Sequence, residues 1–102
     1  MDLRLVSQDP LRLTATFEPD DSCFHEHFPG NPVVPGSLVV GLCMQALREH
    51  RSETGPLLIK RFSFSRFASP GSYDLSIAKQ ESCYQCTLSQ GKLIFAQGRI
   101  EA

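Results

Sequence analysis

A chain of 102 residues carrying a net charge of −1 has material for one domain and not two, expected to span 1–102. Hydrophobic residues make up 41% and charged residues 21%, the balance of an ordinary soluble domain stable by roughly 5–15 kcal/mol. Near-neutral charge without a basic, aromatic-rich motif excludes a nucleic-acid binder. No apolar run approaches the roughly 20 residues that span a bilayer, so no membrane partner is expected. The opening MDLRLVSQDP lacks a signal-peptide core, and a cytoplasmic location is the expectation.

Leu3 and Leu5, then Leu11, Leu13, Ala15 and Phe17, recur at period two, which predicts two short strands joined by a turn at Gln8-Asp9-Pro10. Turn formers follow from Glu18 to Asp21, where Asp21 or Ser22 can cap a short helical turn through Phe24. The segment HEHFPGNPVVPGS then packs three prolines and two glycines into 13 residues. No helix or ladder tolerates that density, and its direct entry into an apolar segment makes it an ordered loop. Ser37 to His50 reads as a helix of about 14 residues, roughly 21 Å long. Its first ten positions are apolar nearly all round, which predicts burial on most sides. Gly41 inside it costs about 1 kcal/mol relative to alanine and is expected to mark close packing. Arg48, His50 and Arg51 sit where the helix dipole favours cations, and Gly55-Pro56 stops the chain.

Leu57 to Phe67 alternates, with Phe62 and Phe64 on one face and Arg61 and Ser63 on the other. A turn at Ser69-Pro70-Gly71 precedes three further strands, Tyr73 to Ala78, Ser82 to Ser89 and Lys92 to Ile100. Their connections are short, so antiparallel neighbours are expected. Cys83 and Cys86 form a CxxC, but on a strand they point to opposite faces. They are therefore expected, with Cys23 and Cys43, to be free thiols serving as small hydrophobes and not a metal or redox site. One apolar helix needs cover that only these strands can give. The predicted class is α+β: a curled antiparallel sheet of about five or six strands wrapped around one long central helix, with a second copy shielding what remains.

The loop and helix together have chemical potential. A helix start presents unpaired N–H groups and partial positive charge. Gly36 admits close approach to the backbone, and His27 can exchange a proton near neutral pH. This set suits a carbonyl that gains negative charge while a neighbouring proton is removed. His25 reads as a surface or packing residue and His50 as a helix-end cation.

HFPGNPVVPG followed by an apolar helix with Gln45 closely resembles the hotdog-fold 3-hydroxyacyl-(acyl carrier protein) dehydratases, and Pro70-Gly71 extends the resemblance over essentially the whole chain. The resemblance implies a dehydratase acting on a fatty-acyl or polyketide thioester, with no cofactor and no metal. His27 matches the catalytic histidine that removes the α-proton. Gly36 matches the glycine whose N–H holds the thioester carbonyl. Val33 matches a loop residue whose backbone contacts the histidine, and Gln45 the helix glutamine near the site. Phe28 inside the same motif, Ser37 at the helix start and Gly41 on the helix complete the substrate-binding set. The family carries an acid five positions after the Pro-Gly glycine, and this chain has Gly41 there. No carboxylate follows on the helix before Glu49. Without general acid catalysis, worth roughly 100- to 10,000-fold, hydroxide loses its proton donor. Glu26, Glu18, Asp20, Asp21, Cys43 and Ser37 are the substitutes within the chain.

Three readings follow: an active dehydratase, a catalytically impaired relative that binds acyl thioesters or partners an active subunit, and a thioesterase. The resemblance further implies an acyl carrier protein as partner, and a site shared between two subunits. These would be a homodimer, or a heterodimer whose partner supplies the missing acid. Lys60, Arg61 and Arg66, with Arg48 and Arg51 nearby in sequence, read as a solvated face or as a docking patch for an acidic carrier.

Overall fold

In the computed structural model, residues 2–21 and 33–102 are described. Six strands form one sheet: β1 (Asp2–Gln8), β2 (Leu11–Phe17), β3 (Leu58–Phe64), β4 (Gly71–Gln80), β5 (Cys83–Gln90) and β6 (Leu93–Glu101). Their spatial order is β1-β2-β4-β5-β6-β3, and each neighbouring pair is antiparallel. Between β2 and β3 the chain forms helix α1 (Gly36–His50).

Period-two alternation builds the inner face. On β2, Leu11, Leu13, Ala15 and Phe17 are buried while Arg12 is exposed. The register aligns these positions across the sheet. One row runs Leu13, Leu75, Leu88, Ala96, Phe64, and the next runs Leu11, Ile77, Cys86, Gly98, Phe62. Such same-face rows are the units through which a sheet is stabilised. Against them lies a single stripe of α1, comprising Val39, Leu42, Cys43, Ala46 and Leu47, spaced as one face of a helix requires.

Three expectations are corrected. The helix is 15 residues, about four turns and not a long rod. It is buried on one face and not on most sides, because the sheet lies against one side only: Ser37, Gly41, Gln45, Arg48 and Glu49 are exposed. Gly41 marks no close packing, since a Cβ built there meets no neighbour within 4 Å among the described residues. The close-packed glycine is Gly98, buried on β6, where a Cβ would collide with the Arg61 carbonyl and the Phe62 ring.

A further correction concerns β3. Short connections suggested that it neighbours β4, but it pairs with β6 at the sheet edge. Its inward Phe62 and Phe64 fit opposite the small Gly98 and Ala96. Beyond Phe64 the chain is drawn away from a hairpin. The Ser65 and Arg66 amides donate to the Phe95 carbonyl at 3.0 and 3.4 Å, and Ser65 Oγ donates to the Ile94 carbonyl at 2.9 Å. Residues 65–70 therefore cross over the start of α1, where the Val34 amide donates to the Ala68 carbonyl at 2.7 Å, and deliver the chain to β4.

The helix end is tied down by the cations placed there. Arg48 donates to the carbonyls of Glu53 and Gly55, and Arg51 to the carbonyl and side chain of Gln8 at the end of β1. The proposed turn at Ser22–Phe24 lies outside the described residues, but Asp21 closes the turn before it. Its carboxylate accepts from the Glu18 amide at 2.9 Å.

Candidate functional site

The start of α1 is open. Pro35 is its N-cap in extended conformation, and a proline side chain offers no capping oxygen. The Leu38 and Val39 amides turn back to the Pro35 carbonyl at 3.0 and 3.4 Å. The Gly36 and Ser37 amides have no acceptor among the described residues, and the first turn holds no acidic side chain. Two donors and the positive end of the helix dipole are thus available to an oxygen that gains charge.

Beside them is a cavity of about 210 Å³. Val33, Val34, Pro35, Gly36 and Val39 form one wall. Phe64, Arg66, Phe67 and Ala68 form the crossover side, and Leu88, Phe95 and Ala96 the sheet side. Arg66 is the only charged side chain among these lining residues. Drug-sized ligands occupy roughly 300–1,000 Å³, so this space suits a short apolar segment. Tyr73 braces the back of the site. Its ring meets Phe95 edge-on at 5.0 Å, and its hydroxyl donates to the Ser69 carbonyl at 2.6 Å, fixing the crossover.

Phe64 stands over the helix start. Three atoms of its ring lie 2.9–3.2 Å from where a Cβ on residue 36 would be. A side chain here is opposed by this close approach of a ring and not by an unusual backbone angle. Phe64 also stacks on Phe62 at 6.2 Å and remains 49% exposed, so its ring has room to move. Phe67, 84% exposed, sits at the same mouth. Sequence reasoning placed Phe64 on the correct face but missed both rings as lining residues. The available signal was an apolar pair bracketing Ser65-Arg66 immediately before Pro70-Gly71.

The sequence-predicted residues divide. Val33 and Gly36 line the cavity together. Ser37, Gly41 and Gln45 do not; they form an exposed line along α1, where the Gln45 amide donates to Glu49 Oε1 at 3.0 Å. His27 and Phe28 lie outside the described residues, as do Cys23, His25 and Glu26. Of the substitute acids, Asp21 is engaged with Glu18. Cys43 is buried in the core, where its contact with Cys86, then burial, push its thiol up and make it a poorer acid. Glu49 follows Gly36 by 13 residues, about 20 Å along the helix axis. Cys86 is buried while Cys83 faces the other side of β5, where it is half-buried.

Residues 4–99 match the profile of the ApeI-like family, described as ApeI dehydratase. The chain belongs to this family. Its fold is similar to that of the dehydratase heterocomplex ApeI:P from Xenorhabdus doucetiae, with a TM-score of 0.77 at 20% identity, covering 99% of this chain and 93% of that one. An uncharacterized protein from Erwinia carotovora subsp. atroseptica gives 0.73 at 19% identity, covering 99% and 89%. The fluoroacetyl-CoA thioesterase FlK gives 0.56 at 17%, covering 99% and 87%. No curated protein matches the chain. The six-stranded antiparallel sheet with its helix is thus the hotdog architecture.

The basic residues do not make the single patch considered from the sequence. Arg66 lines the cavity, Lys60 and Arg61 line a separate cleft with Arg99, and Arg48 and Arg51 hold the far end of the helix. Three destinations follow because alternation and the crossover send neighbours in sequence to different faces. Among the described residues, no helix is long and apolar enough to cross a membrane.

Proposed function

We propose that this member of the dehydratase family acts on 3-hydroxyacyl thioesters, with the turn from His27 to Gly36 as its site. The observation that carries the reading is the apolar cavity opening beside the uncapped amides of Gly36 and Ser37. The thioester carbonyl would accept from the Gly36 amide, with the acyl chain in the cavity. His27 would remove the α-proton, the β-carbon–oxygen bond would break, and the hydroxyl would leave as water once protonated. The product is a 2-enoyl thioester. An oxyanion donor of this type is worth about 100- to 1,000-fold in rate.

The proton for the departing hydroxyl has no evident source on α1. Gly41 stands where the family acid is expected, on the exposed line Ser37–Gly41–Gln45. We infer that a second subunit covers that line and supplies the carboxylate, which makes a heterodimer with another hotdog chain the favoured assembly over a homodimer. The similar Xenorhabdus doucetiae protein is a dehydratase heterocomplex, in keeping with this reading. The unpaired edge of β3, with Leu58, Ile59 and Phe64 exposed, is a further surface for that subunit. Without it the chain would be the catalytically impaired reading, an acyl-thioester binder. A thioesterase is the weaker alternative, resting on the likeness to FlK. An acyl carrier protein is the proposed donor, with Arg66 at the cavity mouth as its contact.

The test is turnover of a 3-hydroxyacyl or enoyl thioester on an acyl carrier protein, by the chain alone and with co-purified hotdog subunits. Hydration or dehydration above a His27→Ala control supports the proposal. Thioester hydrolysis without water addition favours the thioesterase, and no turnover in any combination overturns catalysis.

A further inference from the structure

On the sheet face turned away from α1, strands β3, β5 and β6 enclose a cleft of about 580 Å³, well within the range of small-ligand sites. Its chemistry is the reverse of the apolar cavity. Lys60, Arg61, Arg99, Gln85, Gln97 and Ser63 line it, and no carboxylate does among the described residues.

The backbone gathers these groups by design of the register. Consecutive strand residues ordinarily face opposite sides, yet Lys60 and Arg61 both line the cleft. The reason is the register shift between Ile59 and Arg61, which inserts Lys60 as an extra residue opposite β6. Beyond it, Arg61 pairs directly with Arg99, and Arg99 with Gln85. Two like charges directly opposite on paired strands destabilise a sheet. Lys60 is engaged by Glu101 at 3.1 Å. Among the described residues Arg99 meets only the neutral Gln85, its Nε donating to Oε1 at 3.4 Å, and Arg61 has no carboxylate partner. A chain of net charge −1 thus concentrates two uncompensated guanidinium groups in one concave site, which focuses positive potential there.

We propose that this cleft binds a phosphate-bearing small molecule, with its phosphoryl group between Arg61 and Arg99. Guanidinium forks match phosphate oxygens in pairs. The side-chain oxygens and amides of Ser63, Gln85 and Gln97 are placed to take the polar remainder. An anion here would also remove the repulsion between the paired arginines. The site is independent of the thioester reading, since it shares no lining residue with the apolar cavity.

The test is an amide chemical-shift titration of the full chain at constant ionic strength, with inorganic pyrophosphate in one arm and ADP in another. Saturable shifts centred on residues 61, 85 and 99 are expected. Arg61→Gln and Arg99→Gln should each weaken binding by roughly tenfold or more, the worth of a charge-assisted contact. Lys92→Gln, in the connection at the opposite end of β5 and β6, should leave it unchanged. All three variants are at exposed positions, and spectra with native dispersion establish that they fold. Tighter binding of ADP than of pyrophosphate identifies a nucleotide-like ligand, and equal binding identifies the phosphate alone. No saturable shift in either arm, or equal weakening by Lys92→Gln, overturns the proposal.

Discussion

Replacing Gly36 by alanine separates the chemical role of this position from its structural one. The added Cβ would lie 2.9 Å from Phe64 Cζ and 3.1–3.2 Å from two further ring atoms. All three belong to the outer end of a half-exposed ring, which needs to yield by only a few tenths of an ångström. The displacement costs energy, while alanine regains up to about 1 kcal/mol of helix propensity. The two effects nearly offset, so stability should change by less than about 1 kcal/mol. For a domain this size that corresponds to a Tm shift below roughly 8 °C. Function should respond very differently. A methyl group at the opening beside the free amide obstructs an incoming carbonyl, and losing the donor costs about 100- to 1,000-fold in rate. The assay pairs thermal unfolding with turnover of an enoyl thioester by the assembled protein. Compared with Phe64→Ala alone, the double variant Gly36→Ala, Phe64→Ala lacks the ring contact, so adding the methyl group there should cost no stability while still lowering activity. Turnover within twofold of wild type in Gly36→Ala would refute the role given to this amide.

Gly98→Ala should be far more damaging, because one of the groups its Cβ meets is the Arg61 backbone carbonyl, which cannot step aside like a ring. Overpacking of this kind costs about 1–3 kcal/mol, read as a lower Tm. Gly41→Glu enters open space and should be tolerated. If a missing acid limits the lone chain, the variant should raise dehydration in the absence of a second subunit. Tyr84 supplies a pH signature. Burial, then its hydrogen bond to Glu53, push its phenol up from 10 to about 12. The folded state therefore holds this proton more tightly than the unfolded chain. The resulting stability is present below pH 10 and lost as pH rises through 12. Tyr84→Phe should flatten denaturant midpoints across that interval, while an unchanged slope would remove Tyr84 as its source.

Most of the strands were legible because burial on one face leaves a period-two record, seen most cleanly in Leu11, Leu13, Ala15 and Phe17. The place of β3 was not, since alternation reports which side of a strand is buried and says nothing of which strand lies beside it. The decisive information was the size match of Phe62 and Phe64 with Gly98 and Ala96, and the bonds from Ser65 and Arg66 that lead the chain over the helix. Glycine was ambiguous for a related reason. Gly41 was read as a packing residue because helices tolerate glycine poorly. Gly98, the residue that is close-packed, sits at an inward position between Ala96 and Ile100, where an alternating strand would otherwise place a side chain. That interruption was visible in the sequence, but its meaning depends on the strand across from it.

The two glycines of α1 now argue in opposite directions, and together they define what the site retains. Gly36 is held by a ring packed against it and opens on a cavity, so a side chain there has something to displace. Gly41 faces open space among the described residues, none of which requires the absence of a side chain. An acid at position 41 would fit without steric cost. Its absence therefore has no explanation in the packing of the described residues, whereas the glycine at 36 does. The amide and the cavity that the proposed site uses for binding are built into the chain. On the proposed function, the proton-donating half is left to whatever surface covers Ser37, Gly41 and Gln45, and dehydration would then depend on the carboxylate of an assembled partner.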